Sequence, residues 1–180
     1  KQLINDILNY SRLSATDGIV ADIDLNLMFD GLRSDYEVMI EEMGAEINIE
    51  KLPCIRVNPG QIRQVFQNLV SNALKFSKKG EKPVITISSA RVSALDPFAG
   101  EDPNGRYCRI SVRDNGIGFD EKYLENIFSL FERLNAKADY EGSGIGLAIA
   151  RKIIEKHNGM LTAHSSEGKG AEFIIILPID

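Results

Sequence analysis

The chain has 180 residues, enough for one domain with a sizeable core, and its 43% hydrophobic and 26% charged residues are the proportions of an ordinary soluble globular protein. A formal net charge of −5 lacks the basic excess of a nucleic-acid binder, and no run approaches the ~18 apolar residues of a membrane span. Cys54 and Cys108 stand far apart without metal spacing and read as incidental, reduced thiols. The expectation is a cytoplasmic domain, with room for an anionic small ligand and for a membrane anchor elsewhere in a longer protein.

Residues 1–14, KQLINDILNYSRLS, carry a short helical pattern, with Leu3, Ile7 and Tyr10 along one side and Ile4 and Leu8 adjoining. A helix so short is marginal alone and needs a partner helix or the surface of its own domain. Residues 16–24 form a polar connector running into a short strand, and 25–43 read as one helix that stops at Gly44. The alternation over 46–50 marks a half-exposed strand, closed by Leu52-Pro53. Asn58-Pro59 then supplies an N-cap and a first-turn proline for a helix over 61–77.

Strands are expected over 84–92 and 106–113, paired with each other, and the proline-, glycine- and acid-rich SALDPFAGEDPNG between them reads as a mobile excursion. Short helical turns over 120–134 and a polar stretch over 135–141 follow. A helix over 147–157 ends before Gly159, and strands over 160–165 and 171–177 are joined by SEGKG. This interleaving predicts an α/β two-layer sandwich, a mixed sheet with helices on one face.

The helix over 61–77 has two distinct faces. Ile62, Val65, Phe66, Leu69, Ala73 and Phe76 recur at three- and four-residue steps and form a core stripe. Gln64, Asn68, Asn72 and Lys75 recur at the same steps on a second face. Asparagine competes for the helix backbone, so two stacked one turn apart mark either a solvated face or one that meets a ligand. A carboxamide oxygen suits magnesium, and an ammonium suits phosphate.

Two glycine-rich stretches bear on that choice. Asn115-Gly116 after a strand signals a hairpin, yet the chain runs on through DEKY, a helix start. In that setting Gly116 and Gly118 let backbone approach a ligand closely, and Asp114 at the strand end can accept a hydrogen bond from an exocyclic amine. GSGIGL at 142–147 opens the next helix, where clustered N–H groups and the helix dipole suit phosphate. It is neither a P-loop nor the dinucleotide fingerprint, because the lysine and the spacing those need are missing. Gly168-Lys169-Gly170 reads as a tight turn before the last strand.

In this order, the asparagine helix, DNGIGF, FSLFERL, GSGIGLAIARKIIEKHNG and GKGAEFIIILP resemble the ATP-binding domain of sensor histidine kinases. That is the Bergerat-type fold shared with DNA gyrase, heat-shock chaperones and mismatch-repair ATPases. The resemblance covers nearly the whole chain and implies the end of a dimerisation helix over 1–16 and an ATP-binding catalytic domain over 17–180. It implies that Asn72 holds Mg2+ with Asn68 beside it, that Lys75 meets phosphate oxygens, and that Phe76 lines the adenine site. Asp114 would accept the adenine amine, with Gly116 and Gly118 shaping that pocket. Phe128 and Phe131 match the phenylalanine box at the base of a mobile ATP lid over about 120–141, with Arg133 a phosphate contact. Gly142, Ser143, Gly144, Ile145, Gly146 and Leu147 would form the lid hinge and the helix start that receives phosphates.

The activity this implies is transfer of the γ-phosphoryl of MgATP to a histidine on an upstream helix of a homodimer, then to a response-regulator aspartate. Hydrolysing relatives carry a glutamate where Asn68 stands, as general base on water, and an amide cannot take that proton. Its absence suits a histidine nucleophile. Two positions depart from the family pattern. Ala171 replaces the usual threonine, removing a hydroxyl from the water network implied around Asp114. The chain's two histidines, His157 and His164, fall at a helix end and in a strand and read as structural, so the chain is expected to bind ATP without phosphorylating itself. The alternative is an ATP-gated conformational module without phosphotransfer.

Overall fold

A computed structural model of the chain describes residues 19–131 and 144–179. The helical pattern over 1–14, the boundary near residue 16, and Arg133, Gly142 and Ser143 lie outside the described residues.

Strand β1 (Ala21–Asp24) runs directly into α1 (Leu25–Asp35), capped by Asp24 Oδ1 accepting the Asn26 N–H at 2.8 Å. The single helix expected over 25–43 is two, because Tyr36 (φ −103°, ψ 9°) breaks it and α2 (Glu37–Met43) follows. Tyr36 donates its hydroxyl to the Gln67 carbonyl at 3.4 Å, a tertiary tie that the helical pattern does not contain. Gly44 ends α2 in the left-handed conformation, as expected. After β2 (Glu46–Ile49) comes a strand the sequence reading passed over, β3 (Cys54–Val57), which pairs antiparallel with β1 in a separate two-stranded ribbon. Helix α3 (Pro59–Lys75) starts as Asn58-Pro59 predicts, with Asn58 Oδ1 accepting the Gln61 N–H at 3.0 Å.

The remaining strands are β4 (Val84–Val92), β5 (Tyr107–Asp114), β6 (Met160–Ser165) and β7 (Ala171–Pro178). With β2 they form a five-stranded mixed sheet in the order β2-β4-β5-β7-β6, in which only the β2–β4 pair is parallel. Between β5 and β6 lie a 3₁₀ turn (Glu121–Tyr123), α4 (Leu124–Ile127) and α5 (Gly146–Lys156).

Alternation along the strands sends Ile85 and Ile87, Cys108, Ile110 and Val112, and Phe173, Ile175 and Leu177 to one face, where α1, α3 and α5 close over them. Phe29 of α1 packs on Phe66 of α3 with ring centroids 4.6 Å apart. The other face holds a smaller cluster of Val92, Ile174 and Ile176, with Ala99, Tyr107 and Met160 against it. The loop over 93–105 therefore differs from the mobile excursion expected. Arg109 of β5 donates to the Ala99 carbonyl at 2.8 Å and to that of Pro97 at 3.5 Å, and Val92 bridges to Glu101. The loop lies as a strap across the outer face because a strand arginine satisfies its carbonyls.

Candidate nucleotide site

Helices α3 and α5 are tied at two points. The Asn58 N–H at the start of α3 donates to His157 Nε2 at the end of α5, 3.1 Å away. Asn68 Nδ2 in the middle of α3 donates to the Gly146 carbonyl at the start of α5, at 2.9 Å. The helices thus run in opposite directions, and the N-terminus of α5 abuts the asparagine face of α3. A Cβ on Gly146 would come 3.3 Å from Asn68 Oδ1, so the glycine allows this approach. One turn on from Asn68 is the half-buried Asn72, and one turn further is Phe76, the C-cap of α3. The Phe76 carbonyl accepts the Ile117 N–H at 2.9 Å, and the Lys75 ammonium lies 4.6 Å from the centre of the Phe76 ring. The row Asn68–Asn72–Phe76 therefore spans from the glycine-rich start of α5 to the turn that follows Asp114.

That turn is held from several sides. Asp114 Oδ1 accepts the N–H groups of Gly116 at 2.8 Å and Ala171 at 3.2 Å. Both bonds fall on the same oxygen, and Oδ2 accepts none from the described residues. Burial pushes the Asp114 carboxyl above the ordinary carboxylate range, and the two N–H donors pull it back. Gly116 sits against the Phe76 carbonyl, and Gly118, at φ +62°, sits against the Ser166 and Gly170 carbonyls, so a Cβ at either would run into backbone. The pair Gly168 and Gly170, both at positive φ, makes the tight turn expected before β7.

Sequence reasoning missed two residues that hold this turn. Asn115 accepts the Val84 N–H at 2.8 Å and donates to the Lys82 carbonyl at 3.0 Å, fastening the turn to the start of β4. Ser165, the last residue of β6, accepts the Phe119 N–H and donates to the Gly170 carbonyl, each at 2.8 Å. Asn115 was visible only as half of an Asn-Gly turn signal. Nothing in the sequence distinguishes Ser165 from its neighbour Ser166.

At the other end of the site, Phe128 is buried, edge-on to Phe173 at 6.4 Å between centroids. The Arg151 guanidinium lies 5.1 Å from the Phe128 ring centre and pairs with Glu125 at 2.9 Å, so α5 grips α4 by both charge and ring. Phe131 does not share that burial. It is 54% exposed at φ +65°, and its N–H donates to the Gly144 carbonyl at 3.0 Å. Ile145 is fully buried and Leu147 packs against the same core, so these two bring backbone, not side chains, to the start of α5.

His157 is structural, as the sequence suggests, whereas the buried Nε2 of His164 has no partner among the described residues. Since His157 Nε2 accepts the Asn58 N–H, the ring proton lies on Nδ1, which donates to the Ile153 carbonyl at 2.8 Å. Neither nitrogen is left to act as a nucleophile. His164 packs on Phe98 at 5.1 Å between centroids, with Nδ1 3.4 Å from Glu121.

A carboxylate beneath glycine backbone can read an amine, a glycine-opened helix N-terminus can receive phosphates, and paired carboxamides between them can ligate a hard cation. Among the described residues no group of three or more His, Cys, Asp or Glu could hold a metal. Magnesium bound with a nucleotide keeps waters and phosphate oxygens and takes only one or two protein ligands, which the asparagine row fits.

Residues 57–180 match the profile of the family described as histidine kinase-, DNA gyrase B- and HSP90-like ATPase. The phytochrome-like protein Cph1 of Synechocystis sp. is 37% identical over 178 residues, covering 98% of this chain and 22% of its own length. Sensor protein kinase WalK of Staphylococcus epidermidis is 31% identical over 186 residues, covering 99% of this chain and 28% of its own. The chain thus spans about a fifth to two fifths of the length of the curated relatives it matches. Full-length ShkA, solved in complex with AMPPNP, superposes with a TM-score of 0.77 at 27% identity, over 98% of this chain and 35% of that one. The nucleotide-free catalytic domain of histidine kinase ThkA gives 0.70 at 28% identity, over 89% and 96%. With the family profile matched across the asparagine helix, the Asp114 turn and both glycine segments, the chain belongs to the histidine kinase-, DNA gyrase B- and HSP90-like ATPase family, as a domain of the kind that sensor histidine kinases carry.

Proposed function

We propose that this chain is the ATP-binding catalytic domain of a two-component sensor histidine kinase. The observation that supports it most is the row Asn68–Asn72–Phe76, which joins the start of α5 to the Asp114 turn along one face of α3. ATP would lie along that row. Asp114 Oδ2 accepts the adenine amine, Gly116 and Gly118 shape that pocket, and Phe76 lines it. Lys75 and the backbone N–H groups from Gly144 to Leu147 meet the phosphates, with Arg133, Gly142 and Ser143 adding to them. Asn72 holds Mg2+ through its carboxamide oxygen. Asn68, whose Nδ2 is committed to Gly146, keeps α5 in place and offers its own oxygen beside Asn72. When bound, magnesium neutralises charge on the β- and γ-phosphates.

An imidazole nitrogen of a histidine on a helix upstream of this chain, in a dimerisation domain whose second helix would end over residues 1–16, attacks the γ-phosphorus. The N–P bond forms as the bridging P–O bond breaks, ADP leaves, and the phosphoryl group passes on to a response-regulator aspartate. This domain positions the nucleotide and stabilises charge, and needs no general base on water at Asn68. In this reading the parent is a homodimer with this domain on the cytoplasmic side, where MgATP is supplied, and the net charge of −5 gives no support to a nucleic-acid partner.

Thermal unfolding with and without MgATP tests the first half of this reading. Nucleotide at about a hundred times its Kd should add ~2.7 kcal/mol of stability, and no shift would count against it. The second half needs a separately expressed helix pair bearing the acceptor histidine. Phosphohistidine should form with the wild-type domain and vanish with folded Asn72→Asp or Asp114→Asn variants. The absence of a hydroxyl at Ala171 favours a second reading, an ATP-gated conformational module. ATP-dependent stabilisation with no phosphohistidine would select it.

A further inference from the structure

Ser165 fastens the turn after Asp114 without reaching the asparagine row or the start of α5. It closes β6 directly opposite Ala171 in the β6–β7 register. The hydroxyl's one proton is committed, since it donates to the Gly170 carbonyl while the oxygen accepts the Phe119 N–H, both at 2.8 Å. The hydroxyl therefore has no proton left to offer a ligand.

What it holds is more telling. The Gly170 carbonyl and the Ala171 N–H belong to one planar peptide unit. Ser165 binds that unit on its oxygen side, and its N–H side donates to Asp114 Oδ1 at 3.2 Å. Rotation of the plane about its flanking bonds would break both bonds together. The same hydroxyl also fastens Phe119, next to Gly118, whose own backbone is wedged against the Gly170 carbonyl. No side-chain hydroxyl is available at position 171 to orient Asp114 directly, so the carboxylate takes its bearing from this backbone N–H and that of Gly116.

We propose that Ser165 is a positioning residue for base selectivity: by locking the Gly170–Ala171 peptide it keeps Asp114 Oδ2 aimed at the 6-amino group of the purine. The proposal rests on the reading that Asp114 accepts the adenine amine, and the test separates the two. Inosine triphosphate carries a carbonyl in place of that amine and a proton on the neighbouring N1, and keeps the same ribose and triphosphate.

Affinities for MgATP and MgITP are measured on the whole chain. Wild type should prefer ATP, and equal affinities would remove the Asp114 reading itself and this proposal with it. Given that preference, Ser165→Ala should weaken ATP about fivefold, the worth of one ordinary hydrogen bond, while leaving ITP unchanged. Ser165→Thr, which keeps the hydroxyl, should restore the preference. Should Ser165→Ala fail to fold, Ser165→Cys keeps the volume with a far weaker donor and should show the same narrowing. A purely structural role would weaken both nucleotides alike. That result, or an undiminished preference for ATP in the folded variant, would overturn the proposal.

Discussion

Asp114 answers to two demands that oppose each other. A buried carboxylate costs the unliganded fold stability, and the same charge is what an adenine amine would need. Burial raises its folded pKa above the ordinary 3.8, so in the pH range just above that value the folded state holds a proton that the unfolded state has released. Stability is undiminished below 3.8 and falls as pH rises through the folded pKa, after which the full cost remains. Asp114→Asn keeps an oxygen for the Gly116 and Ala171 N–H groups and removes the charge. Urea unfolding of the two proteins between pH 3.5 and 7 should therefore show the variant gaining on wild type as pH rises, while its affinity for MgATP drops. A variant that lost stability relative to wild type over that range would contradict the electrostatic account. At this scale the sequence singled out Asp114 and the asparagines, which the fold brings to one side of α3. It was silent on Asn115 and Ser165, whose importance comes from partners 31 and 46 residues away.

Among the elements, α3 was the most legible, because its start is written in local chemistry. Asn58 caps it through a side-chain oxygen, Pro59 fits the first turn, and the apolar stripe from Ile62 to Ala73 is buried as the spacing predicts. Asn58→Ala should cost about 1 kcal/mol in urea unfolding. Asn58→Ser, which can still cap, should recover most of it, whereas a loss shared by both would point to some other role for the residue. The same local rules could not find β3. Its four residues are wedged between Pro53 and the Asn58 cap, Cys54 blurs their alternation, and their partner, β1, lies thirty to thirty-six residues earlier, as with Ala21 opposite Val57. Nor could they break the helix at Tyr36, where a hydroxyl bond to α3 accompanies the change of direction. Helix caps and glycine turns are local and readable. Strand partners and tertiary ties are not.

Taken whole, the molecule divides its labour between the two faces of one sheet. The helical face carries the candidate nucleotide site at one end, and the outer face is covered by the strap over 93–105. Val92 and Tyr107 stand opposite each other in the β4–β5 register, so a two-residue Asn-Gly turn could replace residues 93–106. That change would uncover Val92, Ile174 and Ile176, and should cost about 2–4 kcal/mol in chemical unfolding. Isothermal titration should find the affinity for MgATP nearly unchanged, since no strap residue reaches Asp114 or α3. A comparable loss of affinity would mean that the faces are coupled through the strands.

The bond from the Phe131 N–H to the Gly144 carbonyl brings the chain back to where it left. The two flanks, Phe131 and Gly144, are thus tied to each other, and the length of chain between them is decoupled from the architecture on either side. Doubling such a segment costs only about 0.6 kcal/mol of closure entropy. A longer or shorter piece could therefore stand between Phe131 and Gly144 without re-registering a single strand.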